Sequence, residues 1–277
     1  MYNFALIGDP VEHSRSPEIH LEFFKKSELK GGYICIQTPK HKIKDYIYAL
    51  KDLSFKGVNI TVPHKEAVLE LADKKSKEAQ LIGAVNTLIF KEDYIEAENT
   101  DYLGFSDSLD SEVKNKANKI LLIGAGGSAR AVMLALLKNP VSQEIFILTR
   151  DLDSSFLRAS KLINDLKSFN INVEIKAFKQ SEIENINFKD LDLVINSSPL
   201  GMLNCQENNS PLSEIEINKI KNKSCHFYDL IYNPSETAFL KLAKEKGFSI
   251  QNGELMLRLQ AAHSFSLWTG VSINNFL

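Results

Sequence analysis

The sequence predicts an α/β fold in two domains, each built on a mainly parallel sheet. Three observations carry this: short apolar strands alternate with amphipathic helices in two successive series, a glycine-rich turn opens the second series, and 277 residues suit two domains better than one. The first series begins with an apolar strand, Phe4 to Ile7, a Gly8-Asp9-Pro10 turn, and a helix with Ile19, Phe23 and Phe24 on one face. Tyr33 to Gln37 reads as a strand, His41 to Leu53 as a helix and Gly57 to Thr61 as a strand. From Pro63 to Ala72 the apolar set Ala67, Val68, Leu71 and Ala72 recurs at helical spacing, with Pro63 suited to the first helical position. Asn86 to Phe90 and a short further strand follow, and a helix runs from Asp101 to about Asp110.

The polar stretch Ser111 to Lys119 lacks apolar periodicity and reads as a linker. The second series then runs strand Ile120 to Ile123, helix Ser128 to Lys138, strand Ile145 to Thr149, helix Ser154 to Phe169 and strand Ile171 to Lys176. Strands Leu191 to Asn196 and Ser224 to Leu230 complete a doubly wound, Rossmann-type succession. A last helix, Glu254 to Trp268, carries Leu255, Leu259, Ala262 and Phe265 on one side and is expected to pack back on the first domain. The division is therefore 1–103, completed by 254–277, and 104–253, with a cleft between the two domains.

Net charge is -2 and the sequence pI is near 6.3, so no basic field points to nucleic acid or an anionic membrane. There is no leader pattern and no apolar run of membrane-spanning length, which predicts a cytoplasmic chain acting on a small molecule. Three cysteines without Cys-x-x-Cys spacing suggest neither a disulfide framework nor a metal site.

Gly124-Ala125-Gly126-Gly127-Ser128-Ala129 directly follows a strand and opens a helix, the context of a phosphate-binding turn. Small residues let the backbone approach a pyrophosphate, and the helix start favours its charge. The next strand ends Leu148-Thr149-Arg150. No carboxylate stands at its tip to accept from a ribose 2′-hydroxyl, whereas Arg150 suits a 2′-phosphate, so NADP is favoured over NAD. Asp151 would repel that phosphate unless it points away or caps the following helix.

In the first domain, Ser14 and Ser16 follow the first strand and could donate to a carboxylate; a helix N-cap is an equal reading for Ser16, before Pro17. Alternation puts Asn59 and Thr61 on one face, and Lys65 falls in the first turn of the predicted helix. There the macrodipole opposes its charge, a useful setting for a lysine that gives and takes a proton. Alone, Lys65 reads as a surface lysine; a partner carboxylate would change that, and Asp101, otherwise an N-cap, is the candidate. Asn86 starts a strand, and near the C-terminus Tyr232 and Gln260 add neutral hydrogen-bonding groups that suit a polyol.

These segments, from Ser14 to Gln260, resemble the shikimate dehydrogenase family in order, spacing and identity: Asn-x-Thr-x-Pro-x-Lys at Asn59 to Lys65, Gly-Ala-Val-Asn-Thr ending at Thr87, and Asn-Thr-Asp ending at Asp101. The resemblance implies NADP-dependent interconversion of 3-dehydroshikimate and shikimate, with Lys65 and Asp101 as the catalytic pair. It further implies that Ser14 and Ser16 hold the substrate carboxylate, that Asn86, Asp101 and Gln260 contact ring hydroxyls, and that Asn59, Thr61 and Tyr232 belong to the substrate site. Gly124 to Ala129, Thr149, Arg150, Leu230 and Leu255 fall to the cofactor, Leu255 where a glycine is usual beside the nicotinamide. The chain is expected to act as a monomer or homodimer. A quinate/shikimate dehydrogenase using NAD and a non-catalytic NADP-binding regulator are the alternatives, the second disfavoured by Lys65 and Asp101.

Overall fold

The computed structural model describes residues 1–139, 141–167, 172–203 and 205–276, and divides into two compact units, one of Met1–Phe105 with Leu257–Leu277 and one of Ser106–Met256. In the first, the elements run β1 (Tyr2–Gly8), α1 (Ser16–Lys26), β2 (Gly31–Gln37), α2 (Ile43–Asp52), β3 (Gly57–Ile60), β4 (Lys74–Lys75), α3 (Lys77–Ile82), β5 (Thr87–Phe90), β6 (Ile95–Glu98) and the start of α4 (Asp101–Ser108). The sheet order is β2-β1-β3-β5-β6-β4; β1 lies parallel to both neighbours, and β3, β5 and β6 pair antiparallel.

The apolar run of β1 is buried on both faces, as a central strand requires. Ala5 and Ile7 pack with Ile43, Ile47 and Leu50 of α2, whereas Phe4 and Leu6 pack with Ile19, Phe23 and Phe24 of α1. The second of these cores is completed from the far end of the chain. Helix α10 (Glu254–Thr269) contributes Ala261, Ala262, Phe265 and Trp268. Phe265 meets Phe4 and Phe24 edge-on at 5.8 and 5.0 Å, and Trp268 stacks on Phe4 at 4.3 Å while its indole N–H donates to the Leu88 carbonyl at 2.9 Å. Gly57 makes room for this, since a Cβ there would lie 2.1 Å from Trp268 Nε1. Leu255, expected on the apolar side of the helix, is instead 45 % exposed.

The helix expected from Pro63 to Ala72 does not form. The chain turns at 62–66 and makes only a 3-10 turn, Ala67–Leu71, with Val68 its one buried residue. Tertiary bonds hold the segment on another path: Val85 N–H donates to the Lys65 carbonyl at 2.8 Å, and the buried His64 side chain places Nε2 2.7 Å from Thr38 O. Lys65 therefore lies in a turn, and no helix dipole acts on it. The short helix α3, capped by Ser76 accepting from Ala79 N–H at 3.0 Å, is too brief to show a period in sequence.

In the second unit α5 (Ser111–Lys116), β7 (Lys119–Ile123), α6 (Gly127–Leu137), β8 (Glu144–Thr149), α7 (Asp153–Lys167), β9 (Glu174–Lys179), β10 (Leu193–Asn196), α8 (Glu214–Lys219), β11 (His226–Asp229), α9 (Ala238–Glu245) and β12 (Ser249–Gln251) follow in order. The sheet is parallel throughout in the order β12-β11-β10-β7-β8-β9, a doubly wound topology with its switch point between β7 and β10. The stretch expected to be a linker contains a helix. Asp110 caps it by accepting from Glu112 N–H at 2.7 Å, and Lys116 pairs with Glu112 one turn back, so α5 forms with no buried residue and no apolar stripe. The third strand sits further along than expected, at Glu174–Lys179; the predicted helix end at Phe169 and strand start at Ile171 lie outside the described residues.

Phe265→Ala is expected to cost about 3–5 kcal/mol, because an aromatic with no exposed surface anchors α10 on the first sheet. Urea unfolding followed by fluorescence of the single tryptophan, Trp268, reads this directly; a loss under about 1 kcal/mol would contradict the packing account.

Candidate active site

At the end of β1 the chain loops into α1, whose first residue is Ser16. The N-cap is Arg15 and makes no side-chain capping bond, so Ser16 is not the cap; it is buried, and its N–H donates to Ser14 Oγ at 3.2 Å. Ser14 is half-buried.

Lys65 and Asp101, far apart in sequence, meet at 2.6 Å between Nζ and Oδ2, with side chains only 16 % and 8 % exposed. The helix-start N–H of Asp101 is satisfied by Asn99 Oδ1 at 3.0 Å, so its carboxylate is not spent on capping. Asp101 Oδ1 accepts from Asn86 Nδ2 at 2.8 Å, and Asn86 Nδ2 also lies 3.3 Å from Gln260 Oε1 on α10. Both carboxylate oxygens thus have donors, which a weakly hydrated ion pair needs. Beneath them Asn59 uses its whole amide internally: Oδ1 accepts from Tyr33 Oη at 2.8 Å, and Nδ2 donates to Asn86 O and Ser264 Oγ, both at 3.0 Å. Thr61 falls just past the end of β3 and its methyl fills the space that a Cβ on Gly8 would need.

Thr87, Thr100, Ser264 and Tyr33 join this network and were not singled out by the sequence reading. Ser264 Oγ lies 2.7 Å from Thr87 Oγ1 and 3.0 Å from Thr100 Oγ1. The available signal was Gln260 and Ser264 four residues apart on a helix face otherwise apolar. Under Tyr33 lies His20, fully buried and stacked on the phenol at 4.1 Å, with neither ring nitrogen hydrogen-bonded among the described residues. Burial lowers its pKa to about 3.

In the second unit, Gly124 adopts φ +108°, and a Cβ there would lie 2.7 Å from Ser197 Oγ. Gly126 is the N-cap of α6; it makes no side-chain capping bond, nothing lies within 4 Å of where its Cβ would be, and the first turn contains no acidic residue. Gly124, Ala125, Gly126, Gly127 and Ser128 border solvent while Ala129 is buried. This open, uncapped helix start fits a pyrophosphate. Thr149 is buried and donates to Phe178 O at 3.3 Å, and Arg150 is exposed at the tip of β8. Asp151 accepts from Ser181 N–H at 2.7 Å, and that bond holds its pKa low. It faces the end of β9 and does not cap α7. Leu230 N–H donates to Asn196 O at 2.9 Å, Tyr232 is half-buried, and Leu255 is exposed. Among the described residues no group of three or more His, Cys, Asp or Glu could hold a metal, and no helix is long and apolar enough to cross a membrane.

The family model of the shikimate dehydrogenase substrate binding domain matches residues 6–88. The shikimate dehydrogenase (NADP(+)) of Caldanaerobacter subterraneus subsp. tengcongensis is 38 % identical over 269 residues, covering 96 % of this chain and 91 % of that protein. That of Methanococcus aeolicus is 39 % identical over 268 residues, covering 96 % and 91 %. Among solved structures, shikimate 5-dehydrogenase from Thermus thermophilus in complex with NADP(H) and shikimate superposes with a TM-score of 0.84 at 32 % identity, covering 100 % of this chain and 97 % of that one.

Because the pKa of His20 is depressed, the stability that its neutral ring contributes is present above the ordinary value of 6.5 and is lost as pH falls from there toward 3. The loss should approach about 1.4 kcal/mol per pH unit. His20→Phe should extend the acid limb of the stability profile to lower pH; identical limbs in variant and parent would refute the assignment.

Proposed function

The chain belongs to the shikimate dehydrogenase family, and from that membership and the Lys65–Asp101 pair we propose that it is an NADP-dependent oxidoreductase interconverting 3-dehydroshikimate and shikimate. The observation that carries the reading is the ion pair: a lysine with a proton to give, held at 2.6 Å by a carboxylate that is itself fixed by Asn86. NADP, when bound, supplies the hydride chemistry. Lys65 donates its proton to the oxygen of the ketone as that oxygen becomes an alkoxide, and takes a proton from the hydroxyl in the reverse direction. Asp101 keeps the ammonium oriented through both directions and contacts a ring hydroxyl.

Ser14 and Ser16 donate to the substrate carboxylate, and Thr61, Asn86, Tyr232 and Gln260 take the ring hydroxyls. Asn59, whose amide is wholly engaged with Tyr33, Asn86 and Ser264, acts by holding Asn86. The first unit is the substrate domain and the second the nucleotide domain. Gly124 to Ala129 hold the pyrophosphate, Arg150 the 2′-phosphate, and Thr149, Leu230 and Leu255 flank the nucleotide. Asp151 stays ionised and is tied to Ser181 N–H, so the NADP reading is supported by Arg150, exposed at the strand tip, and not by Asp151.

Purified protein should reduce NADP rapidly with shikimate and slowly with quinate or with NAD, and Lys65→Ala should lower kcat by about 10²–10⁴ with little change in shikimate affinity. Comparable rates with quinate and NAD would assign the broader dehydrogenase; tight NADPH binding without turnover would assign a regulator. Near-normal turnover in Lys65→Ala would remove the lysine from the mechanism. Arg150→Ala should raise KM for NADP about tenfold or more and leave KM for NAD unchanged; an equal effect on both cofactors would refute a 2′-phosphate contact.

A further inference from the structure

The second unit buries a carboxylate that the reaction does not use. Asp229 closes β11 and has no exposed surface. Its Oδ1 accepts from the Ile231 N–H at 3.0 Å and from Asn196 Nδ2 at 3.1 Å, and its Oδ2 accepts from Thr237 Oγ1 at 2.7 Å. Asn196 closes the neighbouring strand β10 and lies opposite Asp229 in the parallel register. Its other bonds run into the loop after β10: Oδ1 accepts from Ser198 N–H and Oγ at 3.0 and 2.7 Å, and Nδ2 donates to Leu200 O at 3.2 Å. One carboxylate–amide pair therefore ties together the loops that leave two adjacent strands at their C-terminal ends, where sheets of this topology place their ligands.

The geometry of the second loop is the more telling. Ile231 and Thr237 stand at its two ends, Tyr232 and Asn233 lie between them, and both ends bond the same carboxylate. Thr237 also caps α9 by accepting from Leu240 N–H at 3.3 Å, so the closing end of the loop is fixed to a helix. Further out, Leu203 N–H donates to Asn233 O and Gly253 N–H to Ile231 O, both at 3.1 Å. Burial raises the Asp229 carboxyl to about 6, so its ionised form costs stability at neutral pH that an uncharged filler at this position would not. Three donors converge on it nonetheless.

We propose that Asp229 is a positioning residue: by holding Ile231 and Thr237 and bracing them on Asn196, it fixes the loop that presents Tyr232 to the substrate. The proposal rests on the substrate role given to Tyr232 above. Asp229→Asn keeps the size of the side chain but puts an N–H₂ among groups that donate, and so unties one end of the loop.

The experiment is a double-mutant cycle on the full-length protein with Asp229→Asn and Tyr232→Phe, reading KM for shikimate, KM for NADP, kcat and Tm. Each single variant should raise the shikimate KM by about tenfold, with kcat and the NADP KM little changed, and the double variant should be no worse than either single one. Multiplicative effects in the double variant, or a lowered Tm and kcat with an unchanged shikimate KM in Asp229→Asn, would overturn the positioning role and leave Asp229 a purely structural group. An unchanged shikimate KM in Tyr232→Phe alone would remove the substrate role of Tyr232, and with it the proposal; that result is distinct from a failure of Asp229. Should Asp229→Asn not fold, Thr237→Val must raise the same KM and Thr237→Ser restore it, and equal KM values in those two variants would likewise overturn the proposal.

Discussion

The Lys65–Asp101 pair hangs on the orientation of one amide. Asn86 Oδ1 accepts from the backbone N–H of Thr100 at 2.7 Å, and Nδ2 donates to the Asp101 carboxylate at 2.8 Å. A backbone N–H can only donate and a carboxylate can only accept, so the amide has a single permitted orientation. Asp101 is held by that amide and Lys65 by Asp101. The hydroxyls of Thr87, Thr100 and Ser264 and the amide of Asn59 surround the assembly, all of them buried, and a buried polar group left without its partner would cost about 1–3 kcal/mol. The network is stiff because each member's alternative is an unmade hydrogen bond.

The second unit solves a different problem by different means. Its sheet is parallel, so all strands end on one edge, and the loops leaving that edge need room rather than internal bonds. Gly124 supplies a left-handed backbone and clears Ser197, whereas Gly126 leaves an uncapped helix start open. Asn196, paired with Ile123 across the sheet, and Asp229 cross-link the neighbouring strand ends. Looseness for a ligand and rigidity for a loop thus lie side by side on adjacent strand ends.

Much of this was legible in the sequence, for reasons that can be named. The central strands of both sheets announced themselves because buried parallel strands are continuous apolar runs, as in Phe4 to Ile7 and Ile120 to Ile123, whereas the short edge strands Lys74–Lys75 and Ser249–Gln251 carry no such run and were not expected. The glycine turn was legible because its context, strand then helix, is local. Lys65 and Asp101 could be named individually, and only the fold could show them 2.6 Å apart. The helix expected at Pro63 to Ala72 was not there, because its apolar spacing is real but the Lys65 carbonyl is taken by Val85 N–H and the His64 side chain by the Thr38 carbonyl, both remote in sequence. Helix α5 was missed for the opposite reason: capping and an ion pair form it without burial. Ser264 escaped notice because a serine on an apolar helix face carries no message until its partners are known.

Helix α10 closes the first hydrophobic core with Phe265 and Trp268, although Phe4, Phe23 and Phe24 precede them by most of the chain. On the ribosome the order of emergence matters. The nucleotide unit is one uninterrupted segment, 106–256, and can complete its own core as it leaves the exit tunnel. The first unit cannot: its sheet must wait, with an aromatic face uncovered, until Phe265 and Trp268 have been made. Synthesis therefore completes the inner segment of the chain before the outer one can close its core.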